Sequence, residues 1–523
     1  MKKRILLLGA GFMQGAGIRS AKQKGWEVIA ADGNPEAACA HLADHFEHID
    51  LKDTERLCGF AGQLKDNGGL DGVFTCATDF SSTVAFIAEK YGLPGHSHEA
   101  ALNATDKIRM RECFQQAAVP SPKFTGVHKT QAPDIRNLLR ARDLRYPLVV
   151  KPADNMGSRG CRRADTFEQL EQALSEAFRY SKTGTAIVEE YMDGPEFSIE
   201  ALIFDGEFHL TGLADRHIYF PPFFVEMGHT MPSSFPEDKQ QELVEVFIKG
   251  IKALGLTHGA AKGDLKYTEK GPMIGEIAGR LSGGYMSGWT FPYSTGIDLT
   301  GAALDLAAGK RPETLRKIKE WTSAERAWIS IPGKIASVSG YGEAEKLAFV
   351  LDIFPRVNPG DTVCFPQNNV EKCGNIIAAG PSREQVIDAA EEACRLILPR
   401  LEAPNPETDS FLLAGSAEFP PPAFPLPAFP QDPEYTVSVF SGKQIAVPGF
   451  LVPFLDTAED WQGRTLRRAI TQSIEAEPGL LRKLEFSEKN DQNNLNRYWK
   501  ALLRGGIQGI VYIYDRDSLY ESP

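Results

Sequence analysis

A short apolar strand that runs into a glycine turn and then a helix restricts the fold of this chain more than any other feature. Arg4–Leu8 is an apolar run, 9–11 reads Gly-Ala-Gly, and a helical stretch extends to Lys24. Further strand-like runs follow at 26–32 and 73–75. Strands that alternate with helices are typical of a parallel, doubly wound sheet. We therefore predict a Rossmann-like α/β domain at the N-terminus.

The glycine turn matches a dinucleotide-binding fingerprint only in part. Gly9 and Gly11 begin a GxGxxG pattern, but Gln14 stands at the third glycine position. Asp32 lies at a distance suited to a ribose contact, yet a broken fingerprint is a weak indication of a nicotinamide or flavin site. We therefore interpret the segment as a tight strand-to-helix connection.

Composition indicates a globular protein of several domains. At about 150 residues per domain, 523 residues correspond to roughly three to four domains. A net charge of −12 argues against binding of nucleic acid, because phosphate contacts need clustered Lys and Arg. No apolar run approaches the roughly 20 residues of a membrane-spanning helix. We expect partners that are small molecules, with no nucleic acid and no membrane.

The start of the chain and its cysteines indicate the cytoplasm. Lys2–Arg4 is basic but leads directly into a short strand, without the long apolar region and cleavage site of a signal peptide. The eight cysteines include no CxxC pair, so they fit neither a zinc site nor a disulfide framework. Scattered thiols suit a reducing compartment, and we expect a cytoplasmic protein with cysteines mostly in its core.

A loop rich in small residues follows an apolar strand. Residues 149–160 read Val-Val-Lys-Pro-Ala-Asp-Asn-Met-Gly-Ser-Arg-Gly. Gly157 and Gly160 let the backbone approach a ligand, and successive N–H groups with the Ser158 hydroxyl can point at phosphate oxygens. Lys151 supplies a point charge at the end of the strand. The loop is a candidate phosphate site, although taken alone it is also interpretable as a flexible hairpin.

A predicted hairpin places two carboxylates face to face. Its strands are Ala260–Tyr267 and Met273–Arg280, and a turn centred on Lys270 would bring Asp264 opposite Glu276. Opposed Cβ atoms lie about 5 Å apart, and like charges so placed destabilise a sheet. A divalent cation removes that penalty, and Mg²⁺ prefers carboxylates together with substrate phosphates. The hairpin predicts a metal site, with a solvated charged face as the alternative.

In order along the chain, these segments resemble the ATP-grasp superfamily of carboxylate–amine ligases. The segments that carry the resemblance are Gly92–Gly95, Thr105–Arg111, Val119–Pro122, Lys151–Gly160, Val188–Glu196, Gly275–Arg280 and Ser294–Asp298. The resemblance covers roughly residues 1–400. It implies an α/β protein with an ATP-grasp fold that follows an N-terminal Rossmann-like (pre-ATP-grasp) domain.

The resemblance and the changes of pattern together predict the domain organisation. A Rossmann-like domain over 1–115 would precede a small (lid) subdomain over 116–185, a large subdomain over 186–315 and a mixed subdomain over 316–402. The segment 403–433 contains nine prolines and predicts an extended, semi-rigid linker. Residues 434–523, with strand signals at 435–440 and 507–514, would then form a separate accessory α/β module of unassigned role.

The resemblance implies a nucleotide site and a metal site. The residues expected to bind ATP are Lys107, Lys151, Ser158, Gly160, Glu189, Tyr191, Met192 and Glu196. The two lysines would bind the α- and β-phosphates, the loop would cover the triphosphate, and Glu196 would hold the ribose. The adenine pocket would be lined by 189–192, mostly through backbone atoms. Asp264 and Glu276 would bind Mg²⁺, for which Mn²⁺ could substitute, in agreement with the hairpin argument.

One departure from the superfamily points to a particular branch. Most members read Glu-x-Asn-x-Arg at the last motif and use the Asn as a metal ligand, whereas Ala278 stands there in this chain. This loss puts a second fully coordinated metal ion in doubt. The motif followed by Gly283-Gly284 resembles the branch that joins L-amino acids into dipeptides. That branch has a Glu and a His three residues apart in its substrate region, which Glu226 and His229 match.

The reaction implied by the resemblance has two steps. ATP converts a carboxylate to an acyl phosphate, and an amine then displaces the phosphate. Lys151, Arg280 and Mg²⁺ would offset the charge of the transferring group. Arg280 and Gly283 would also lie against the substrate, since a guanidinium matches carboxylate oxygens. The structural alternative for Arg280 is an ion pair with a nearby acid.

The sequence leaves two other functions open. One is a purine-biosynthesis or carbamoyl-phosphate type of ATP-grasp enzyme, although the chain shows no second Lys/Arg cluster for a phosphorylated substrate. The other is a catalytically silent nucleotide-binding regulator, against which the intact charged residues of the motifs argue. The identities of the acid and the amine are open, as is a homodimer.

Overall fold

The protein was analysed as a computed structural model that describes residues 2–413, 419–440, 442–485 and 492–520. It divides into two compact units, which are described separately. The first comprises Met1–Glu325 with Ala379–Val386, and the second comprises Arg326–Ala378 with Ile387–Pro523.

Strands and helices alternate through the first unit. Its strands are β1 (Arg4–Leu8), β2 (Glu27–Asp32), β3 (His45–His48), β4 (Gly72–Phe74), β5 (Phe124–His128), β6 (Leu148–Pro152), β7 (Arg162–Ala164), β8 (Thr185–Glu190), β9 (Glu196–Phe204), β10 (Glu207–Tyr219), β11 (Val225–Met231), β12 (Gly259–Thr268) and β13 (Gly271–Ala278). Its α-helices are α1 (Gly15–Gln23), α2 (Thr54–Asp66), α3 (Ser81–Tyr91), α4 (His98–Thr105), α5 (Lys107–Gln116), α6 (Ile135–Ala141), α7 (Phe167–Tyr180), α8 (Glu237–Leu254), α9 (Phe291–Thr295) and α10 (Leu299–Ala307). Short 3₁₀ turns occupy Phe12–Gln14, Ala40–Leu42 and Lys129–Asp134, and a π-helical turn occupies Met286–Thr290.

The N-terminal strands form the predicted parallel sheet in the order β3-β2-β1-β4. Alternate side chains of β1 enter two cores, with Ile5 and Leu7 in one and Leu6 and Leu8 in the other. A parallel strand buried on both faces has a continuous apolar sequence, which explains why the sequence analysis located it. β3 is partly exposed and polar, so the same criterion missed it.

Gln14, the residue that breaks the dinucleotide fingerprint, has a structural role. Gly9 has a φ of 103°, and a Cβ on it would lie 3.0 Å from Cγ of Gln14. Oε1 of Gln14 accepts a hydrogen bond from the backbone N–H of Cys76 at 2.8 Å. Asp32 accepts one from the N–H of Ala10 at 2.7 Å. Gln14 therefore links the glycine turn to the loop after β4.

Two antiparallel sheets follow. The first, in the order β5-β8-β6-β7, is covered by α7, which begins after the N-cap Thr166 and buries its apolar face. β8 pairs with β5 and β6 up to Glu190, so this small subdomain extends beyond the predicted boundary at residue 185. The second runs β13-β12-β9-β10-β11 and packs against the apolar face of α8. These two sheets carry the loop and the hairpin that the sequence singled out.

The remaining elements belong wholly or partly to the second unit. They are β14 (Thr322–Trp328), β15 (Gly333–Ser339), α11 (Tyr341–Ala344), β16 (Val350–Pro355), β17 (Thr362–Val363), β18 (Gly374–Gly380), α12 (Arg383–Leu396), β19 (Leu398–Leu401), α13 (Pro406–Leu413), β20 (Tyr435–Phe440), β21 (Lys443–Pro448), a 3₁₀ turn (Gly449–Phe454), α14 (Leu466–Ala476), α15 (Leu480–Leu484) and α16 (Gln492–Ser518). One hydrophobic core joins them, and it includes both Trp328 and Trp499.

This core differs from the prediction of a separate accessory module over 434–523. Side chains of the tail pack into the same core as those of 326–402, so the tail completes that core. The proline-rich segment 403–433 is also integrated where it is described, since Ala423 and Phe424 are buried and their N–H groups donate to carbonyls of α16. Residues 414–418 of that segment lie outside the described residues.

The predicted strand at 507–514 is also wrong, because these residues lie in α16. Most side chains from Ile507 to Ile513 are buried, and a short apolar run rich in β-branched residues does not distinguish a buried helix from a strand. Gly506, with φ 61° and ψ −151°, interrupts the helix just before them. Within the residues that the structure describes, neither α16 nor any other helix is apolar enough over a sufficient length to span a bilayer.

Candidate functional site

A cleft of about 140 Å³ lies in the first unit, between the loop after β6, the end of β8 and the β12–β13 hairpin. Among the residues that line it are Lys107, Lys151, Ser158, Glu189, Tyr191, Met192, Glu196, Asp264 and Glu276. The structure therefore brings together the predicted nucleotide and metal residues, which lie far apart in sequence. Gly160 does not line the cleft; a Cβ on it would lie 2.9 Å from the ring of Tyr180, so its role is to allow close packing.

The hairpin pairs Asp264 directly with Glu276, as the sequence analysis predicted. The route to that register differs from the prediction. Thr268 pairs with Gly271, so the turn is centred between Glu269 and Lys270. An irregularity between Asp264 and Leu265 then shifts the pairing by one residue.

Each carboxylate of the hairpin faces a cation of the cleft. Asp264 forms ion pairs with Lys262 and with Nη1 of Arg216, the latter at 3.0 Å. Oε1 of Glu276 lies 3.6 Å from Nζ of Lys107. Burial disfavours the charge of Glu276, but Lys107 and Lys262 outweigh it and lower the pKa of this carboxyl group. Two opposed carboxylates beside lysines suit Mg²⁺ shared with phosphates.

Lys151 is held in the cleft by a buried pair. Glu189, whose side chain is only 3% exposed, accepts from Nζ of Lys151 at 2.7 Å and from Nε of Arg111 at 2.6 Å. Burial opposes the charge of Glu189, but the two cations lower its pKa below the ordinary value. Because its side chain is engaged in this way, Glu189 could contact an adenine only through its backbone, as the resemblance implied. Arg111 also donates to the carbonyl of Gly275 at 2.6 Å.

The loop after β6 contains two successive residues with positive φ. Gly157 has a φ of 67° and Ser158 a φ of 59°, so a non-glycine residue adopts the left-handed region. That conformation costs roughly 1–2 kcal/mol, and such strain clusters at functional sites. Nζ of Lys107, at the start of α5, donates to the carbonyl of Asn155 at 2.6 Å. Lys107 therefore connects this loop to Glu276, which is predicted to bind the metal.

Arg216, on β10, is a central residue of the site that the sequence analysis missed. Its side chain is 9% exposed. It contacts Glu196 at 2.5 Å, Glu226 at 2.5 Å and Asp264 at 3.0 Å. Burial opposes its charge, but these three carboxylates raise the pKa of Arg216 well above its ordinary value. Arg216 thus contacts the residues predicted to bind the ribose, the substrate and the metal. These contacts depend on the pairing of strands, so no local sequence pattern predicts them.

Replacing Arg216 with glutamine is expected to destabilise the first unit by about 3–5 kcal/mol, because it leaves three partly buried carboxylates without their common cation. Thermal or urea unfolding of the full chain at neutral pH measures this. Arg145→Gln is the matched control, since that guanidinium is 78% exposed and should be dispensable. If both variants unfold like the wild type, the ion pairs of Arg216 do not contribute to the stability of the protein.

The predicted substrate residues form a second group beside the cleft. Arg280 donates to Oδ1 of Asp79 at 3.0 Å and does not line the cleft. A Cβ on Gly283 would lie 3.6 Å from Cβ of Ala77, and one on Gly284 would lie 3.3 Å from Oε1 of Glu226. The segment 280–284 therefore runs between the loop after β4 and Glu226, which forms an ion pair with Arg216 of the cleft.

His229 is deeply buried rather than presented to the cleft. Its Nε2 lies 2.7 Å from the Thr290 hydroxyl, and its Nδ1 lies 3.3 Å from Oε2 of Glu325. One ligand atom each from Glu226, His229 and Glu325 lie within 4.8 Å of one another. These contacts hold the His229 side chain next to Glu226. A substrate-side role for it remains a prediction.

Glu200, on β9, is a second residue that the sequence analysis missed. Its Oε1 accepts from the backbone N–H of Ser282 at 2.6 Å and from the Ser287 hydroxyl at 2.5 Å. Burial raises the pKa of Glu200. These hydrogen bonds fix both ends of the segment that contains Gly283. No local sequence signal marks this residue, because its partners lie more than eighty positions away.

The family profile described as ATP-grasp domain matches residues 144–288, which include the loop, the end of β8 and the hairpin. The chain contains an ATP-grasp domain. A second profile, described as L-amino acid ligase C-terminal domain 2, matches residues 327–402, beyond the ATP-grasp match. The predicted resemblance is thereby confirmed, and the residues named above as lining the cleft lie within the match, except Lys107.

Proteins similar to this chain include ligases. Carnosine synthase 1 of Gallus gallus is 26% identical over 331 residues, which are 59% of this chain and 36% of that protein. Alanine–anticapsin ligase of Bacillus subtilis strain 168 is 28% identical over 274 residues, which are 46% of this chain and 57% of that protein. The chain thus spans between about a third and three fifths of the length of these two relatives.

A solved structure confirms the ATP-grasp fold. The L-amino acid ligase from Bacillus licheniformis superimposes with a TM-score of 0.66 at 22% sequence identity. The superposition covers 77% of this chain and 99% of that structure. The predicted α/β architecture of an N-terminal Rossmann-like domain followed by ATP-grasp subdomains therefore holds.

Proposed function

We propose that the protein is an ATP- and Mg²⁺-dependent ligase that activates the carboxylate of an amino acid as an acyl phosphate and joins it to an amine. The observation that carries this proposal is the pairing of Asp264 with Glu276 in a cleft that also holds Lys107 and Lys151. Opposed carboxylates beside a lysine-lined loop fit a magnesium nucleotide better than they fit a purely structural hairpin.

Different residues of the chain would perform different parts of the reaction. Lys107 and Lys151 would hold the phosphates, and the loop over 154–160 would exclude water from the reactive acyl phosphate. Mg²⁺ bound by Asp264 and Glu276 would neutralise charge on the transferring phosphoryl group. In the first step a carboxylate oxygen attacks the γ-phosphorus and the bond to ADP breaks. In the second step the amine attacks the acyl carbon and phosphate leaves.

Amino-acid substrates are supported by two further observations. Residues 327–402 match an L-amino acid ligase C-terminal domain, and the name of one relative, alanine–anticapsin ligase, includes an amino acid. The segment 280–284 lies against Glu226, in line with the branch that the sequence resembles. These points favour an amino acid over formate, bicarbonate or a sugar-phosphate amine as the substrate.

Trapping with hydroxylamine tests this function. We expect the full chain with ATP, Mg²⁺, hydroxylamine and a panel of amino acids to release ADP and to form a hydroxamate of the activated acid in equal amount. Reactions without Mg²⁺ and reactions without an amino acid are the controls. ADP release with no hydroxamate would contradict an acyl phosphate. ATP binding without turnover on any acid would favour the silent regulator.

A further inference from the structure

We propose that the Asp264–Glu276 site takes a single divalent cation and that the ammonium group of Lys262 supplies the positive charge that a second ion would otherwise bring. This inference rests on the proposed ligase function and deepens it, because it fixes how many metal ions act with the nucleotide. It gives a role in the metal site to Lys262, a residue outside the predicted metal and nucleotide sets.

Both carboxylate oxygens of Asp264 already contact cations of the protein. Oδ2 forms an ion pair with Nζ of Lys262, and Oδ1 lies 3.0 Å from Nη1 of Arg216. Oδ1 also accepts a hydrogen bond from the Ser198 hydroxyl at 3.3 Å. A carboxylate that is shared between two metal ions commonly gives one oxygen to each, so two ions would have to displace both protein cations. A single ion has to displace only one of them.

The neighbouring strands leave a second ion without a ligand beside Lys262. On β13 the residue paired with Lys262 is Ala278, whose side chain has no ligand atom. On β9 the residue paired with Lys262 is Glu200. Directly paired residues of antiparallel strands present their side chains on the same face of the sheet. Lys262 therefore stands between a residue that cannot bind a metal ion and a second acid.

That second acid, Glu200, favours a positive charge at the position of Lys262. Its Oε2 is buried and has no hydrogen-bond partner among the described residues, and such an atom is costly. Directly opposed Cβ atoms lie about 5 Å apart, a separation that a lysine side chain spans easily. The Lys262 side chain is only 16% exposed. Its ammonium group is thus confined to the neighbourhood of two carboxylates, those of Asp264 and Glu200.

The two hairpin carboxylates also lack a further acidic partner for a metal ion. Within the described parts of the chain, one group of three Asp, Glu, His or Cys side chains is close enough to share an ion. That group is Glu226, His229 and Glu325, and it includes neither Asp264 nor Glu276. Mg²⁺ is usually bound by one or two carboxylates together with substrate phosphates. Asp264 and Glu276 therefore match the ligands of one ion.

An ammonium group has the properties to act beside that ion. The charge of lysine is compact and strongly hydrated, and it carries three N–H donors. One donor contacts Asp264, so others are left for an oxygen of the nucleotide phosphates. Positive charge there would stabilise the transferring phosphoryl group. A second dication at the same carboxylate would repel the ammonium group at short range, which favours a single ion.

The number of bound ions tests the proposal without turnover. We expect equilibrium dialysis of the full chain against Mn²⁺ and β,γ-imido-ATP, a non-hydrolysable analogue, to give one bound ion per bound nucleotide. The double variant Lys262→Met, Ala278→Asn removes the ammonium group and adds an oxygen ligand opposite it, so it should bind two ions. Two Mn²⁺ ions about 4 Å apart would also give a spin-coupled electron paramagnetic resonance spectrum, which the wild type should lack.

The matched control is the double variant Lys249→Met, Ala278→Asn. Lys249 lies on an exposed position of α8, so this variant makes the same changes of residue type but keeps Lys262, and it should bind one ion. Two ions per nucleotide in the wild type would overturn the proposal, as would equal numbers of ions in the two double variants. If the Lys262 variant does not fold by circular dichroism, the ratio in the wild type decides.

The outcomes separate this inference from the proposed function. One ion bound with the analogue, but no hydroxamate from any acid, would support the metal site while the ligase function fails. If the analogue does not bind, the proposed function also fails, and dialysis against Mn²⁺ alone still counts the ions at the site. Under that condition, two ions in the wild type, or no difference between the two double variants, would refute the role of Lys262.

Discussion

Under the proposed function, Glu276→Gln is expected to lower kcat about 10²–10³-fold or more, because it removes a carboxylate that would hold the Mg²⁺ needed to neutralise the transferring phosphoryl group. Turnover at saturating ATP and a titration of Mg²⁺ measure the effect. Glu207→Gln makes the same charge change at the exposed β9–β10 turn and should retain full activity. Full activity of Glu276→Gln would overturn the assignment of the two carboxylates.

The same variant should keep its fold. Lys107 and Lys262 lower the pKa of Glu276, so its ionised form contributes stability that is present above its unfolded pKa and lost as pH falls. The substitution also removes the repulsion between Glu276 and Asp264 across the hairpin, and this partly offsets the lost stability. We therefore expect a small drop in melting temperature at neutral pH that disappears at acid pH.

Truncation after residue 403 is expected to yield an insoluble or aggregated protein. It removes the fully buried side chains of Tyr498, Trp499, Ile510 and Tyr512 from the core of the second unit. Loss of one large aromatic side chain costs about 3–5 kcal/mol, and a typical domain has only about 5–15 kcal/mol of stability in total. The segment 326–402 therefore lacks a sufficient core of its own.

The soluble fraction, circular dichroism and size-exclusion profile of the truncated chain test this expectation. A chain that ends at residue 519 is the control, since Tyr520, the one described residue that it loses, is 75% exposed. Trp499→Ala in the full chain offers a milder variant, expected to lower the melting temperature without abolishing expression. A soluble, monomeric and folded 1–403 fragment would restore the prediction of a separate accessory module.

Local patterns predicted the parts of the site that are local in sequence. The loop at 151–160 and the facing carboxylates Asp264 and Glu276 follow from spacing along one or two adjacent strands. The register was correct although the turn lies half a residue from its predicted centre, because an irregularity in the pairing of the hairpin compensates. The resemblance to the ATP-grasp superfamily then implied functional roles for these residues that their spacing alone does not indicate.

The parts that escaped prediction depend on partners distant in the chain. Contacts with other strands and loops give Arg216, Glu200 and Asp79 their places in the structure. No pattern in the neighbouring sequence indicates these residues. In the tail, prolines predicted a linker, whereas Ala423 and Phe424 are buried. The choice between helix and strand at 507–514 was decided by tertiary packing on several sides, which an apolar run does not reveal.

The network of ion pairs in the cleft makes nucleotide binding an exchange of partners. Lys107 lies against Glu276, and Lys262 and Arg216 lie against Asp264. A triphosphate that drew these cations away would strip both carboxylates of their counter-charge, and only a divalent metal arriving with it would restore neutrality. Under the proposed function, metal and nucleotide therefore each strengthen the binding of the other by the same factor, and the cleft discriminates between ATP and its magnesium complex.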